Sequence, residues 1–489
     1  MKQLFNIHKI INFIILTAIF KFINLKIFIQ NEISNNDNNI DTNSNNNSDS
    51  EDYKLQFVFE IMRHGARSPS HLDLSSSSSE EDEDIFHEKW PDGKGELTSI
   101  GITQHFLIGF RNRLRYIDRF KLLNENFDLN EIYLISTPLN RTLMSINAEI
   151  QGMFLPGTGP CLYKNESDIA DPPLKSNINY IDEKKNLDEN YSFAAIRENI
   201  NVLPVSIFDP EELNSQLVEK EHCKALKSNY KNRYDSKRYT KFYEQLDKKY
   251  GDKLKKILDK TYVYNNHEII KIITDTAIAD FTENKTMSKI SKHLNRAEFQ
   301  DFVDNFAFNF SYLDYIGSDE KNDKMIAKVG ASQIFNKIIE YMDGIKEQKT
   351  KLKFVLFSMH ESNLGPFTYF LKLALKKKFP VKYANFSANA HLELYKKKND
   401  KYYVNFLFND ESIFNISYSD FRRKIKRLIM DNDAIHFYCD EEDKNKYEII
   451  VAILLSIIVL LIIILIFLYF KKFKKKIIME NIVLENLTK

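Results

Sequence analysis

Cysteine is scarce in this chain, with 3 in 489 residues. Cys161, Cys223 and Cys439 can close at most one internal bridge, and the spacing leaves the pair open. The length gives room for a sizeable core and roughly two or three domains, which excludes a mini-protein held together by staples. Net charge is nearly absent too: 69 Lys and Arg face 68 Asp and Glu, a formal +1. That neutrality hides a segregation. Residues 1–30 contain no acid and carry +4, residues 449–470 contain no charge of either sign, and residues 471–489 carry +4. The body between them, 31–448, is therefore −7. An acidic surface of that size repels phosphate backbones, so no nucleic-acid partner is expected.

The uncharged stretch from Ile449 to Phe470 is 22 residues long, with Ser456 its one clearly polar member. As a helix it spans about 33 Å, enough to cross a hydrocarbon core of about 30 Å. A buried core helix of that length would keep a polar face, and this one has none. Tyr447 and Tyr469 mark its ends, and Lys471, Lys472, Lys474, Lys475 and Lys476 follow at once. The positive-inside rule then predicts a cytoplasmic tail over 471–489 and a lumenal or extracellular body. Met1–Lys9 supplies a basic start and Ile10–Phe20 an apolar run too short to span. That pattern predicts a signal peptide over residues 1–30, with an uncleaved anchor as the rival reading. Either one translocates the body. Few cysteines, and N-x-[S/T] triplets at Asn46, Asn165, Asn190, Asn284, Asn309, Asn385 and Asn415, suit a glycoprotein of the secretory route.

Residues 31–53 hold nine Asn with Asp and Ser and read as a disordered spacer. Ser75–Asp84 reads as a flexible acidic loop. Beyond these, Leu55–Met62, Glu131–Ser136 and Lys353–Ser358 have the β-branched and aromatic content of buried strands. Ile100–Arg115, Arg141–Met153 and Leu364–Leu375 have helical apolar spacing. This alternation predicts an α/β sheet with its site at the strand C-terminal ends. His391–Tyr395 and Lys401–Phe408, around Asn399-Asp400, predict a hairpin. The stretch from about 165 to about 320, rich in Lys, Glu, Tyr and Asn, predicts a helical cap.

The sharpest chemical signal is Arg63-His64-Gly65-Ala66-Arg67-Ser68-Pro69, directly after the first strand. A strand-to-helix turn presents amide groups to an anion, and two guanidinium forks match phosphate oxygens. Flanking positive charge disfavours protonation of His64, which keeps a lone pair available for attack at phosphorus. Gly65 lets the backbone approach the anion closely.

R-H-G-x-R-x-P resembles the signature of the histidine acid phosphatases, branch 2 of the histidine phosphatase superfamily. Further segments follow in that family's order: Trp90-Pro91 through Gln104-His105, Ser136-Thr137 with Arg141–Ser145, and Ser358-Met359-His360-Glu361. The resemblance covers residues 54–440 and implies a phosphoglycerate-mutase-like mixed sheet flanked by helices, with the cap inserted. It implies His64 as nucleophile, Arg63, Arg67, Arg141 and His360 as phosphate-binding residues, and Glu361 as the acid that protonates the leaving alcohol. Glu361 departs from the family's usual Asp by one methylene. The resemblance also suggests that Cys223 pairs with Cys439, leaving Cys161 odd. No metal or cofactor is expected, since arginines neutralise the phosphate.

The sequence therefore predicts a single-pass type I membrane protein whose body is a phosphoric monoester hydrolase of a lysosome-like organelle or the cell surface. Its expected partners are small phosphate monoesters and, through residues 449–470, the bilayer; a homodimer stays open. The alternatives are an inositol-phosphate phosphatase and a non-catalytic surface protein that keeps the fold.

Overall fold

A computed structural model describes residues 53–70, 90–162, 193–194, 200–208, 223–258, 266–315, 320–376, 384–439, 449–469 and 471. The leader 1–30, the Asn-rich stretch up to residue 52, Ser75–Asp84 and nearly all of the basic tail lie outside the described residues. The chain divides into two units, Met1–Lys54 and Leu55–Lys489, and the second holds the sheet and its helices.

A seven-stranded sheet organises it. Its members are β1 (Tyr53–Arg63), β2 (Ile132–Ser136), β5 (Ser206–Ile207), β6 (Phe354–Met359), β7 (Asn389–Lys397), β8 (Tyr402–Phe408) and β9 (Glu411–Ser417), in the order β5-β2-β6-β1-β7-β8-β9. Two-residue strands β3 (Cys161–Leu162) and β4 (Phe193–Ala194) pair separately. β6 runs parallel to both β1 and β2, whereas β7, β8 and β9 form an antiparallel meander. The sheet is mixed, as the family resemblance implies. Tyr53, placed in the spacer by composition, already belongs to β1. β5 and β9 were not legible: the first is two residues long, and the second has only one fully buried side chain.

The central strands are apolar on both sides because both faces of the sheet are covered. Phe57, Phe59 and Ile61 of β1 enter one core, with Val355, Phe357 and Met359 of β6. Alternate residues Val58 and Met62 enter the opposite one, with Phe354 and Leu356. On that second face lie α1 (Ser99–Asn112), which continues as a π-turn over Arg113–Arg119, and α2 (Asn140–Met153). The first face is covered by α9 (Glu320–Lys346), α10 (Glu361–Leu375), α11 (Tyr418–Lys426) and α12 (Asn432–Cys439). α10 starts three residues before its apolar pattern does, since Asn363 Oδ1 accepts from the His360 N–H at 3.2 Å and closes the first turn.

The described part of the 165–320 stretch is chiefly helical. After α3 (Lys224–Asn232) come α4 (Lys237–Leu258), α5 (His267–Glu283), α6 (Lys289–His293), α7 (Arg296–Phe302) and α8 (Phe308–Tyr315). They build a separate aromatic-rich core around Tyr239, Phe242, Ile273, Phe302 and Phe310, into which Ala66 and Phe386 also pack. The cap thus has its own hydrophobic centre and closes over the loop that follows β1.

Cys223 and Cys439 form a disulfide that joins positions 216 residues apart. Closing so long a loop restricts the unfolded chain, and losing such a bridge costs about 2–5 kcal/mol. Cys223→Ser is therefore expected to lower the melting temperature by several degrees; an unchanged transition under non-reducing conditions would refute that stabilising role.

Separately, Ile449–Tyr469 is a helix of 21 residues with mean hydropathy 3.8 over its most apolar 18 residues, long and apolar enough to cross a membrane. Phe470, the last residue of the expected span, lies outside the described residues.

Candidate active site

Strand register builds the site. Met62 of β1 aligns with Ser358 of β6, which in turn aligns with Ser136 of β2. The chain therefore leaves three neighbouring strands at one level, and His64, His360 and Thr137 emerge together at their C-terminal ends. The His64 and His360 rings lie edge to face with centroids 5.4 Å apart.

The loop after β1 is drawn tight by its backbone. His64 N donates to Met359 O at 3.0 Å, Gly65 N to Ser145 Oγ at 3.1 Å, and Ala66 N to Gln104 Oε1 at 2.9 Å. Gly65 is required by space: a Cβ there would meet the Gly101 carbonyl oxygen at 2.5 Å. Helix α1 thus starts against the loop backbone.

His64 is 3% exposed, and its Nδ1 lies 2.9 Å from Gly65 O. A carbonyl can only accept, so Nδ1 carries the proton and Nε2 carries the lone pair. Burial first, then the Arg63 and Arg67 guanidiniums, push this imidazole well below its ordinary 6.5. His360, half-buried, is pushed down in the same way by burial, Arg141 and Arg63. Its Nε2 is 2.9 Å from Thr137 Oγ1. Thr142 Oγ1 spends its proton on the Thr137 and Leu139 carbonyls. The Thr137 hydroxyl must then donate to Thr142, which leaves it to accept from His360 Nε2–H.

The arginines are held as firmly. Arg63 is buried, donates through Nη1 to Ala384 O at 2.6 Å, ion-pairs with Glu361, and lies 4.3 Å from the Phe386 ring centroid. Arg67 is buried too and meets the Asp275 carboxylate with both terminal nitrogens, Nη2 at 2.8 Å and Nη1 at 3.3 Å. Burial would lower Arg67, but Asp275 outweighs it and holds the guanidinium above its usual range. Arg141, in the first turn of α2, is half-buried with Nη1 3.5 Å from Gly95 O. Its charge reaches both histidines. Glu361 opens α10 at the other side of Arg63. All six residues expected from the sequence therefore meet in one place.

Two participants were not singled out from the sequence, Asp275 and Phe386, which touch the arginines; Ser145 and Gln104, which hold the loop amides, stand in segments that carry the resemblance, but without that role. Asp275 comes from the cap and Phe386 from a loop before β7, so neither carries a local signal. Beneath the loop, His105 Nε2 donates to Arg63 O at 3.1 Å and its Nδ1 faces Glu149 Oε2 at 2.9 Å. Burial pushes His105 down to about 4, while burial and Glu60 push Glu149 up. The pair is then a neutral imidazole and a protonated acid, a consistent donor–acceptor chain fixing the Arg63 backbone.

Fold and loop together define the class: the chain belongs to the histidine phosphatase superfamily, branch 2, which it matches over residues 54–409. It is similar to a lysosomal acid phosphatase of Xenopus laevis, with 25% identity over 372 residues, 73% of this chain and 70% of that protein. It is 37% identical to human prostatic acid phosphatase over 103 residues, 21% of this chain and 24% of the relative. Among solved structures it resembles the apo form of Hafnia alvei phytase, with TM-score 0.47 and 10% identity over 78% of this chain and 98% of that one.

Proposed function

We propose that this protein is an acid phosphatase that hydrolyses phosphate monoesters through a phosphohistidine, in a lumenal or extracellular compartment. The observation that carries the reading is the tautomer of His64. Its Nδ1 proton is tied to Gly65 O, so Nε2 is a nucleophile among three guanidiniums. His64 Nε2 attacks phosphorus and the P–O bond to the leaving group breaks. Glu361 gives its proton to the departing oxygen, and Arg63, Arg67 and Arg141 hold the remaining phosphoryl oxygens as charge redistributes, with His360 joining them once the phosphate takes its Nε2–H from Thr137. Water then attacks phosphorus, the N–P bond breaks, and the proton released returns to Glu361. Labelling with a radioactive phosphate ester at acid pH, quenching in base and mapping the label tests this: the label is expected on His64. An unlabelled, active enzyme rules the covalent route out.

The depressed His64 has a direct pH consequence. A histidine with a lowered pKa stays neutral, and so nucleophilic, below the ordinary 6.5 and fails only at still lower pH. The acid limb of kcat/KM, which reports the free enzyme, is expected well below pH 6.5; a limb with its midpoint at 6.5 would show an imidazole in ordinary surroundings. Stability also falls as the pH falls. The unfolded chain takes up protons near 6.5 that buried His64, His105 and His360 refuse, so acid favours unfolding.

The Ile449–Tyr469 helix and the lysines after it support a type I anchor that keeps the catalytic body on the lumenal or outer side of a lysosome-like organelle or the cell surface. Protease protection of a tag after Lys489, with digestion of the body from the other side, is the expected result.

A further inference from the structure

The helical cap does more than cover the site; one of its carboxylates enters it. Asp275 lies midway along α5, half-buried, and its oxygens accept from Arg67 Nη2 at 2.8 Å, Arg67 Nη1 at 3.3 Å, Ser70 N at 2.8 Å and Ser70 Oγ at 3.3 Å. Two turns further on the same helix, Glu283 accepts a hydrogen bond from Thr98, the residue that caps α1. α5 is thus pinned by two carboxylates to the backbone that carries Arg67.

The way Asp275 holds Arg67 leaves a specific surface for substrate. A carboxylate meeting both terminal nitrogens occupies the end of the guanidinium and not its flank. On that flank Arg67 Nε is buried and has no hydrogen-bond partner among the described residues. The flank is the edge that phosphate can take, and the Phe386 ring, 5.5 Å from the guanidinium, limits its swing. The same contact places a fixed negative charge beside a phosphate-binding arginine. One phosphoryl group still meets three guanidiniums, but a further phosphate on the leaving group, near the cap, meets a like charge. Selectivity by a repulsive element needs no additional pocket.

We propose that Asp275 is the positioning and specificity-determining residue of this site: it fixes Arg67 and turns the pocket against leaving groups that bear further phosphates. The proposal rests on the phosphatase reading and narrows it to monoesters whose leaving group is neutral or weakly anionic.

The test uses the full chain in detergent as wild type, Asp275→Asn, Asp275→Glu and His64→Ala. Each is assayed with p-nitrophenyl phosphate and with inositol hexakisphosphate. Asp275→Asn is expected to raise the kcat/KM ratio of the hexakisphosphate to the nitrophenyl ester by about tenfold or more. Its kcat on the nitrophenyl ester falls, because Arg67 loses its charged clamp. Asp275→Glu, which keeps the charge, is expected to keep the wild-type ratio. An unmoved ratio in Asp275→Asn overturns the proposal, as does an equal shift in Asp275→Glu. Failure of the underlying phosphatase reading looks different: wild type turns over neither ester, or His64→Ala matches it. Calorimetric dissociation constants for inorganic phosphate and inositol hexakisphosphate then decide. Their ratio moving about tenfold in Asp275→Asn sustains the role of Asp275, and an unchanged ratio removes it.

Discussion

His64→Ala is expected to lower phosphate-ester hydrolysis by at least about 10³-fold, because removal of a covalent nucleophile is among the costliest single changes an active site can suffer. Among the described residues nothing else in the pocket offers an equivalent atom. His360, the nearest other imidazole, has its Nε2 proton committed to Thr137. The substitution is not expected to unfold the chain. His64 sits among Arg63, Arg67 and Arg141, whose like charges already disfavour its protonation, and the loop is fixed through backbone groups that alanine at this position would retain. The decisive pair of measurements is the rate on an aryl phosphate and the melting temperature. A folded variant that still hydrolyses the ester at near the wild-type rate ends the phosphohistidine reading.

The second large effect concerns Glu361. Glu361→Gln removes the proton that a poor leaving group needs, and general acid catalysis contributes about 10²–10⁴-fold. The loss is expected in full for an alkyl phosphate and in small part for nitrophenyl phosphate, whose leaving oxygen needs little help. The contact with Arg63 adds a second signature. The reacting form of Glu361 is the neutral acid, which an amide matches in charge, so KM is expected to change little even as kcat on the alkyl ester collapses. Equal losses on both esters would take Glu361 out of leaving-group protonation. Glu361→Asp restores the usual family residue, and it is expected to retain activity on both esters.

These expectations began with a short run of sequence, and the reason is physical. Arg63 to Pro69 is local: the residues share one turn, so their chemistry and spacing are visible without a fold. Leu55–Met62 and Lys353–Ser358 were legible as strands because a sheet covered on both faces writes continuous apolar runs. The Ile449 segment was legible because a hydrocarbon core tolerates little else. Glu411–Ser417 was not, since a half-solvated edge strand with mixed polarity has no such constraint.

The sequence by itself determined the candidate nucleophile, the arginines around it, the long apolar segment and the likeness that places the chain in its family. Only the tertiary structure decided that Asp275, 208 residues from Arg67, is the group that holds it. It decided likewise that Ala384, 321 residues from Arg63, receives the other guanidinium. Periodicity and composition encode what a residue does with its near neighbours. Which side chains meet across hundreds of residues is set by strand order, by the register of β1, β6 and β2, and by a cap that buries its own aromatic core against the loop.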